Sequence, residues 1–184
     1  MAPDPGMTEK LRTLQAVAFD VDGVLTDGRI TWFASGEESK TFTFADIMGV
    51  SLLRRIDIKM ALISGEAVAQ VDLFAKKMHI PFVVKGTREK AKALRDFAAQ
   101  FRLELEHTCF FGDDVNDLPA MEIAGLCACP ANAAAEVLAY VNSRGVSGFV
   151  SPEPGGQGAV RAFADAVLVA RGLEGREVFQ RSAP

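Results

Sequence analysis

The sequence predicts an α/β protein: a three-layer, doubly wound parallel sheet with helices on both faces and one β-hairpin standing apart from it. Three observations carry this. Short apolar runs, almost free of charge, recur at residues 14–19, 59–63, 80–84, 108–111, 125–129 and 148–150, as buried parallel strands require. Stretches with apolar residues at helical spacing lie between them. The runs end in polar residues, Asp20, Ser64 and Asp113, and in such sheets the strand ends gather at one edge, where ligands bind.

Taken in order, the first strand runs into Asp20-Val21-Asp22-Gly23-Val24, two carboxylates one residue apart followed by a glycine able to turn the chain. Strand alternation places Asp20 and Asp22 on one side. Residues 29–33 and 39–44 are β-rich and flank Ala34-Ser35-Gly36-Glu37-Glu38, which reads as a hairpin over about 28–44. Asp46 is the expected N-cap of the next helix. A helix over 67–78 follows the second strand. After the third, Lys85-Gly86-Thr87-Arg88-Glu89-Lys90 opens a helix to about Phe101. With Thr87 as N-cap, Lys90 falls in the first turn, where a cation opposes the helix dipole; a residue that breaks a local rule is a candidate functional residue. The fourth strand ends in Gly112-Asp113-Asp114-Val115-Asn116-Asp117. Helices over 133–141 and 159–171 close the alternation. The expected organisation is a disordered leader (1–10), one domain (11–172) and a polar tail (173–184).

Composition narrows the function. The chain has 184 residues, 49% of them hydrophobic, and a net charge of −4, which disfavours nucleic acid as a partner. No apolar run approaches the roughly 18 residues that span a bilayer. With no signal-peptide core at the start, a cytoplasmic location is expected. Cys109, Cys127 and Cys129 form no disulfide framework and read as buried thiols.

The polar groups at the strand ends suit phosphoryl transfer. Asp20 and Asp113, with a backbone carbonyl, can hold Mg²⁺ in an oxygen-rich octahedron. One oxygen of Asp20 can attack phosphorus, and Asp22 can protonate the leaving oxygen and later deprotonate water. Ser64, Gly65 and Lys90 are placed to bind phosphate oxygens.

Asp20-Val21-Asp22-Gly23-Val24, Ser64, Lys90 and Gly112-Asp113-Asp114-Val115-Asn116-Asp117, in this order, resemble the four motifs of the haloacid-dehalogenase-like phosphatases. The resemblance covers about Leu14 to Arg171. It implies a Rossmann-like sheet, Asp20 as nucleophile, Asp22 as acid/base and as metal ligand through its carbonyl, and Asp113 as metal ligand. Asp114 and Asp117 would support the loop. The segments between motifs are too short for an inserted cap domain.

The run Asp20–Gly28, the hairpin and Gly155-Gly156-Gln157-Gly158-Ala159-Val160-Arg161 resemble one capless branch, the phosphatases of 2-keto-3-deoxy sugar acids in lipopolysaccharide or sialic-acid-type biosynthesis. This implies octulosonate 8-phosphate or nonulosonate 9-phosphate as substrate and a homotetramer built through the hairpin. Glu66, Ala45 and Ser51 stand where the octulosonate members carry arginines, and Glu66 with Lys77 resembles the pair of the nine-carbon members. Thr43 and Asp46 are further substrate-contact candidates. Alternatives are a phosphatase of another small sugar phosphate and a non-catalytic tetramerising or regulatory domain of the same fold.

Overall fold

The computed structural model describes residues 4–181. Six parallel strands form one sheet in the order β5-β4-β1-β6-β7-β8: β1 (Ala16–Phe19), β4 (Lys59–Ile63), β5 (Phe82–Val84), β6 (Thr108–Phe111), β7 (Leu126–Cys129) and β8 (Gly148–Val150). The chain builds outward from β1 through β4 to β5, then returns to lay β6 against the other side of β1. That reversal of direction creates a crevice beyond the C-terminal ends of β1 and β6.

Alternation along each strand divides the core into two faces. Val17 and Phe19 of β1 pack with α1 (Pro5–Thr13), α2 (Phe44–Arg55), α3 (Ala69–Met78), α7 (Ala159–Ala170) and α8 (Gly175–Gln180). Ala16 and Ala18 face α4 (Lys90–Phe101), α5 (Leu118–Ile123) and α6 (Ala135–Ser143). These are the helical layers the alternation predicts. Cys127 and Cys129 share the second face, and burial pushes their thiols up to about 11 and about 12. Both therefore stay protonated at neutral pH.

The hairpin is shorter than its β-rich sequence suggests. β2 (Thr31–Trp32) and β3 (Glu38–Ser39) form a separate antiparallel pair. Phe44, expected in a strand, instead begins α2 and stands 81% exposed. Thr43, not Asp46, is the N-cap of α2, its Oγ1 accepting from the backbone N–H of Asp46.

Two terminal expectations give way. The leader expected to be disordered is helical from Pro5: Asp4 accepts from Gly6 N at 2.7 Å, Pro5 occupies the first turn, and Leu11 is buried. The expected polar tail forms α8, which buries Val178 against α7's side of the sheet. Residues 1–3 and 182–184 of these segments lie outside the described residues. The later helices start two residues beyond their expected positions, at Ala69 and Ala135, and α4 starts at Lys90 itself.

Candidate active site

β1 ends at Phe19, but Asp20 remains attached to the sheet edge through its N–H, which donates to Phe111 O at 2.8 Å. The chain then turns sharply. Leu25 N and Thr26 N both donate to Val21 O, and the buried Thr26 hydroxyl accepts from Gly23 N and Gly28 N. Gly23 is required here on two counts. Its φ is +82°, and a Cβ would sit 2.0 Å from Asp113 Oδ2. From behind, Gly156 N donates to Val24 O, and a Cβ on Gly155 would fall 1.7 Å from Gly23 O. The turn is thus closed by a loop from the far end of the chain.

Asp20, Asp22, Gly23, Gly28, Gly65, Glu66, Lys90, Asp113, Asp114 and Asn116 line a single cavity of about 270 Å³ at this edge. Four separate segments predicted to carry chemistry are therefore brought together. Ser64, at the end of β4, is fully buried beside it, and its Oγ accepts from Glu66 N at 3.1 Å. That leaves the hydroxyl proton of Ser64 free to donate to an anion.

Lys90 is 2% exposed at the first position of α4. Its Nζ lies 3.0 Å from Asp20 Oδ2 and 2.6 Å from Asp117 Oδ1. Burial pulls its ammonium toward the neutral form, but Asp20 and Asp117 outweigh that and hold it above the ordinary lysine value. Asp117 is a hub. Its second oxygen accepts from Asp113 N at 2.9 Å and Asp114 N at 3.2 Å, which fixes the loop carrying Asp113.

Asp20, Asp113 and Asp117 each offer an oxygen within 4.8 Å of the others; among the described residues they form the one cluster of three metal-ligating side chains. Burial first, and then the charge of Asp117, raise Asp20 to about 7 against the pull of Lys90. Burial and the charges of Asp20, Asp117 and Asp114 raise Asp113 to about 8. One lysine does not neutralise this set, and a hard divalent cation between Asp20 and Asp113 would. The donor set is all oxygen and fits magnesium.

The substrate candidates fare unevenly. Glu66 lines the cavity. Lys77 instead lies in a neighbouring cavity of about 410 Å³, with Lys40, Phe42, Phe44, Ile47, Gln70, Leu73 and Phe74. Asp46 corrects two expectations at once. It is 1% exposed, and its oxygens accept from Thr43 Oγ1 and from the N–H groups of Gly158, Val160 and Arg161, so it caps α7 across the fold. Nothing is left over for a substrate, and Thr43 is likewise committed to Asp46. Sequence reasoning missed Lys40, whose side chain is fully buried against Asp22 at 2.7 Å. A single lysine in a β-rich run carries no local signal for such a pair.

Comparison with known proteins gives a consistent picture. A family profile described as haloacid dehalogenase-like hydrolase matches residues 37–144. The 3-deoxy-D-manno-octulosonate 8-phosphate phosphatase KdsC of Haemophilus influenzae is 34% identical over 90% of this chain and 89% of its own. The crystal structure of the corresponding Moraxella catarrhalis enzyme, in complex with magnesium ion, phosphate ion and KDO, superposes with a TM-score of 0.82 at 32% identity, covering 90% of this chain and 92% of that one. The Yersinia pestis enzyme gives a TM-score of 0.86 at 27% identity, over 98% of this chain and 92% of that one.

Proposed function

The chain belongs to the haloacid dehalogenase-like hydrolase family and is a phosphatase of that family, and from that premise we propose that it hydrolyses a phosphorylated 2-keto-3-deoxy sugar acid through an aspartyl phosphate. The observation that carries the reading is the convergence of Asp20, Asp22, Lys90 and Asp113 on one cavity.

In the first step an oxygen of Asp20 forms a bond to phosphorus while the bond to the leaving oxygen breaks. That oxygen takes the electron pair and a proton from Asp22. In the second, water attacks the aspartyl phosphate, Asp22 takes its proton, and Asp20 is regenerated with release of phosphate. Lys90, the Ser64 hydroxyl and the Gly65 N–H would bind the phosphate oxygens, where charge spreads in the transition state. The Asp20 carboxylate, the Asp22 carbonyl and Asp113 would hold Mg²⁺. When bound, the ion supplies the positive charge that lets an anionic nucleophile approach an anionic phosphate. Asp114 and Asp117 would keep Asp113 in place.

The eight-carbon 3-deoxy-D-manno-octulosonate 8-phosphate is the first substrate candidate, because the similar phosphatases carry that name. One observation favours a nine-carbon acid: Glu66 lines the cavity where the octulosonate branch places an arginine. A panel of specificity constants decides between them, comparing both keto-acid phosphates with hexose phosphates in Mg²⁺ and in EDTA. The expected result is a preference of at least about tenfold for one keto-acid phosphate, lost in EDTA; a tenfold preference is about 1.4 kcal/mol of differential transition-state binding. Equal constants across the panel would remove the sugar-acid assignment.

The hairpin is the proposed tetramer contact. Ile30, Trp32 and Phe33 are 40%, 73% and 53% exposed, and an isolated two-stranded hairpin is marginal in water. Sedimentation velocity should give a tetramer that Trp32→Glu with Phe33→Glu dissociates; a wild-type monomer at tens of micromolar would count against it. Among the described residues, no helix is long and apolar enough to cross a membrane.

A further inference from the structure

Lys40 follows directly on β3, in a part of the chain that is otherwise largely exposed, yet its own side chain is 0% exposed. Its Nζ stands 2.7 Å from Asp22 Oδ1 and 2.8 Å from Oδ2, so one ammonium spans both oxygens of one carboxylate. Taking an ammonium out of water is costly unless it is paired, and Asp22 is the one acid within ion-pair distance of it among the described residues. The site therefore contains two lysines whose side chains are buried, with separate duties. Lys90 answers the charges of Asp20 and Asp117, and Lys40 answers Asp22 alone.

The pair also has a position. Asp22 lines the catalytic cavity and Lys40 lines the neighbouring one, so their contact forms part of the wall between the two. Asp22 lines that cavity with 28% of its side chain exposed while Lys40 meets both of its oxygens. The hairpin is in turn tied to α3, Gln70 Nε2 donating to Glu38 O at 2.7 Å. The geometry points to Lys40 as a positioning residue for Asp22, fixing the carboxyl where it meets the departing oxygen. This rests on the reading of Asp22 as the acid of the first step.

The inference separates two kinds of ester. When an alkyl phosphate is cleaved, the leaving oxygen takes the P–O electron pair and needs the proton of Asp22, which is left as a carboxylate facing Lys40. When p-nitrophenyl phosphate is cleaved, the phenolate departs without a proton. Misplacing Asp22 therefore harms the first reaction far more than the second.

The test is kcat/KM, which reads through the first irreversible step, for glycerol 3-phosphate and for p-nitrophenyl phosphate. Asp22→Asn is expected to lose about 10²- to 10⁴-fold on the alkyl ester and much less on the aryl ester. Lys40→Met is expected to lose about 10- to 100-fold on the alkyl ester and less than about threefold on the aryl ester. The double variant should be no slower than Asp22→Asn alone, because the lysine acts through the acid. Equal losses on both esters in Lys40→Met would show a merely structural lysine and overturn the inference. So would additive losses in the double variant. If Asp22→Asn itself loses equally on both esters, the acid assignment is what fails, and the inference falls with it.

Discussion

Asp20→Asn is expected to lower phosphate release by at least about 10⁴-fold, because an amide cannot form the phosphoenzyme and the remaining groups act only through it. The same substitution should leave the fold intact. In the cation-free protein, burial and Asp117 lift Asp20 to about 7 from 3.8, and burial with the charge of Asp20 lifts Asp113 to about 8. At these two carboxylates the folded protein then holds more protons than the unfolded chain between about pH 4 and about pH 8. The contribution of these two groups to stability is greatest below the unfolded value and falls as pH rises toward the raised values. Added Mg²⁺ should recover that loss, more at pH 8 than at pH 5. Asn at position 20 removes one of the repelling charges, so melting curves in EDTA should show a flatter decline with pH and a melting temperature at pH 8 no lower than that of the wild type. An inactive but unfolded variant would say nothing about the nucleophile. A folded variant with more than a hundredth of wild-type turnover would remove Asp20 from that role.

Lys90→Met is expected to damage both stability and catalysis. Methionine matches the length of the lysine stem, so the loss is mainly one of charge. Asp20 and Asp117 would keep buried carboxylates with no cation beside them, and breaking a buried pair from one side costs about 3–5 kcal/mol. Denaturant unfolding in EDTA should show a loss of that order, partly recovered by Mg²⁺, which can answer Asp20. Turnover should fall by about 10²- to 10³-fold even with Mg²⁺ present, since a donor to the phosphate oxygens is gone. A variant as stable as the wild type in EDTA would mean that the lysine is not the counter-charge of the cluster.

What could be read from the sequence was what depends on neighbours in the chain. The six sheet strands are legible because each is a run of apolar residues bounded by turn residues, and the strand ends mark the site edge without further information. The displacement of Lys90 from helix preference was a local signal, and it pointed at a buried cation. The start of α1 was legible in principle, since Asp4-Pro5 is a cap followed by a proline suited to the first turn, but the proline and glycine also read as breakers. Asp46 shows the limit. Local rules place an acid near the start of α2, which it is, while its hydrogen bonds run to Gly158, Val160 and Arg161, more than a hundred residues on. The Lys40–Asp22 pair was hidden for the same reason: an ion pair across 18 residues leaves no periodicity to detect.

The close approach of Gly155 to Gly23 sets an order of events during synthesis. The turn after β1 leaves the ribosome more than a hundred residues before the loop after β8 that backs it. A nascent chain can hence pair β1 with β4 and β6 well before that turn is backed, and the edge carrying Asp20 and Asp22 is complete only once residues 155–156 have emerged.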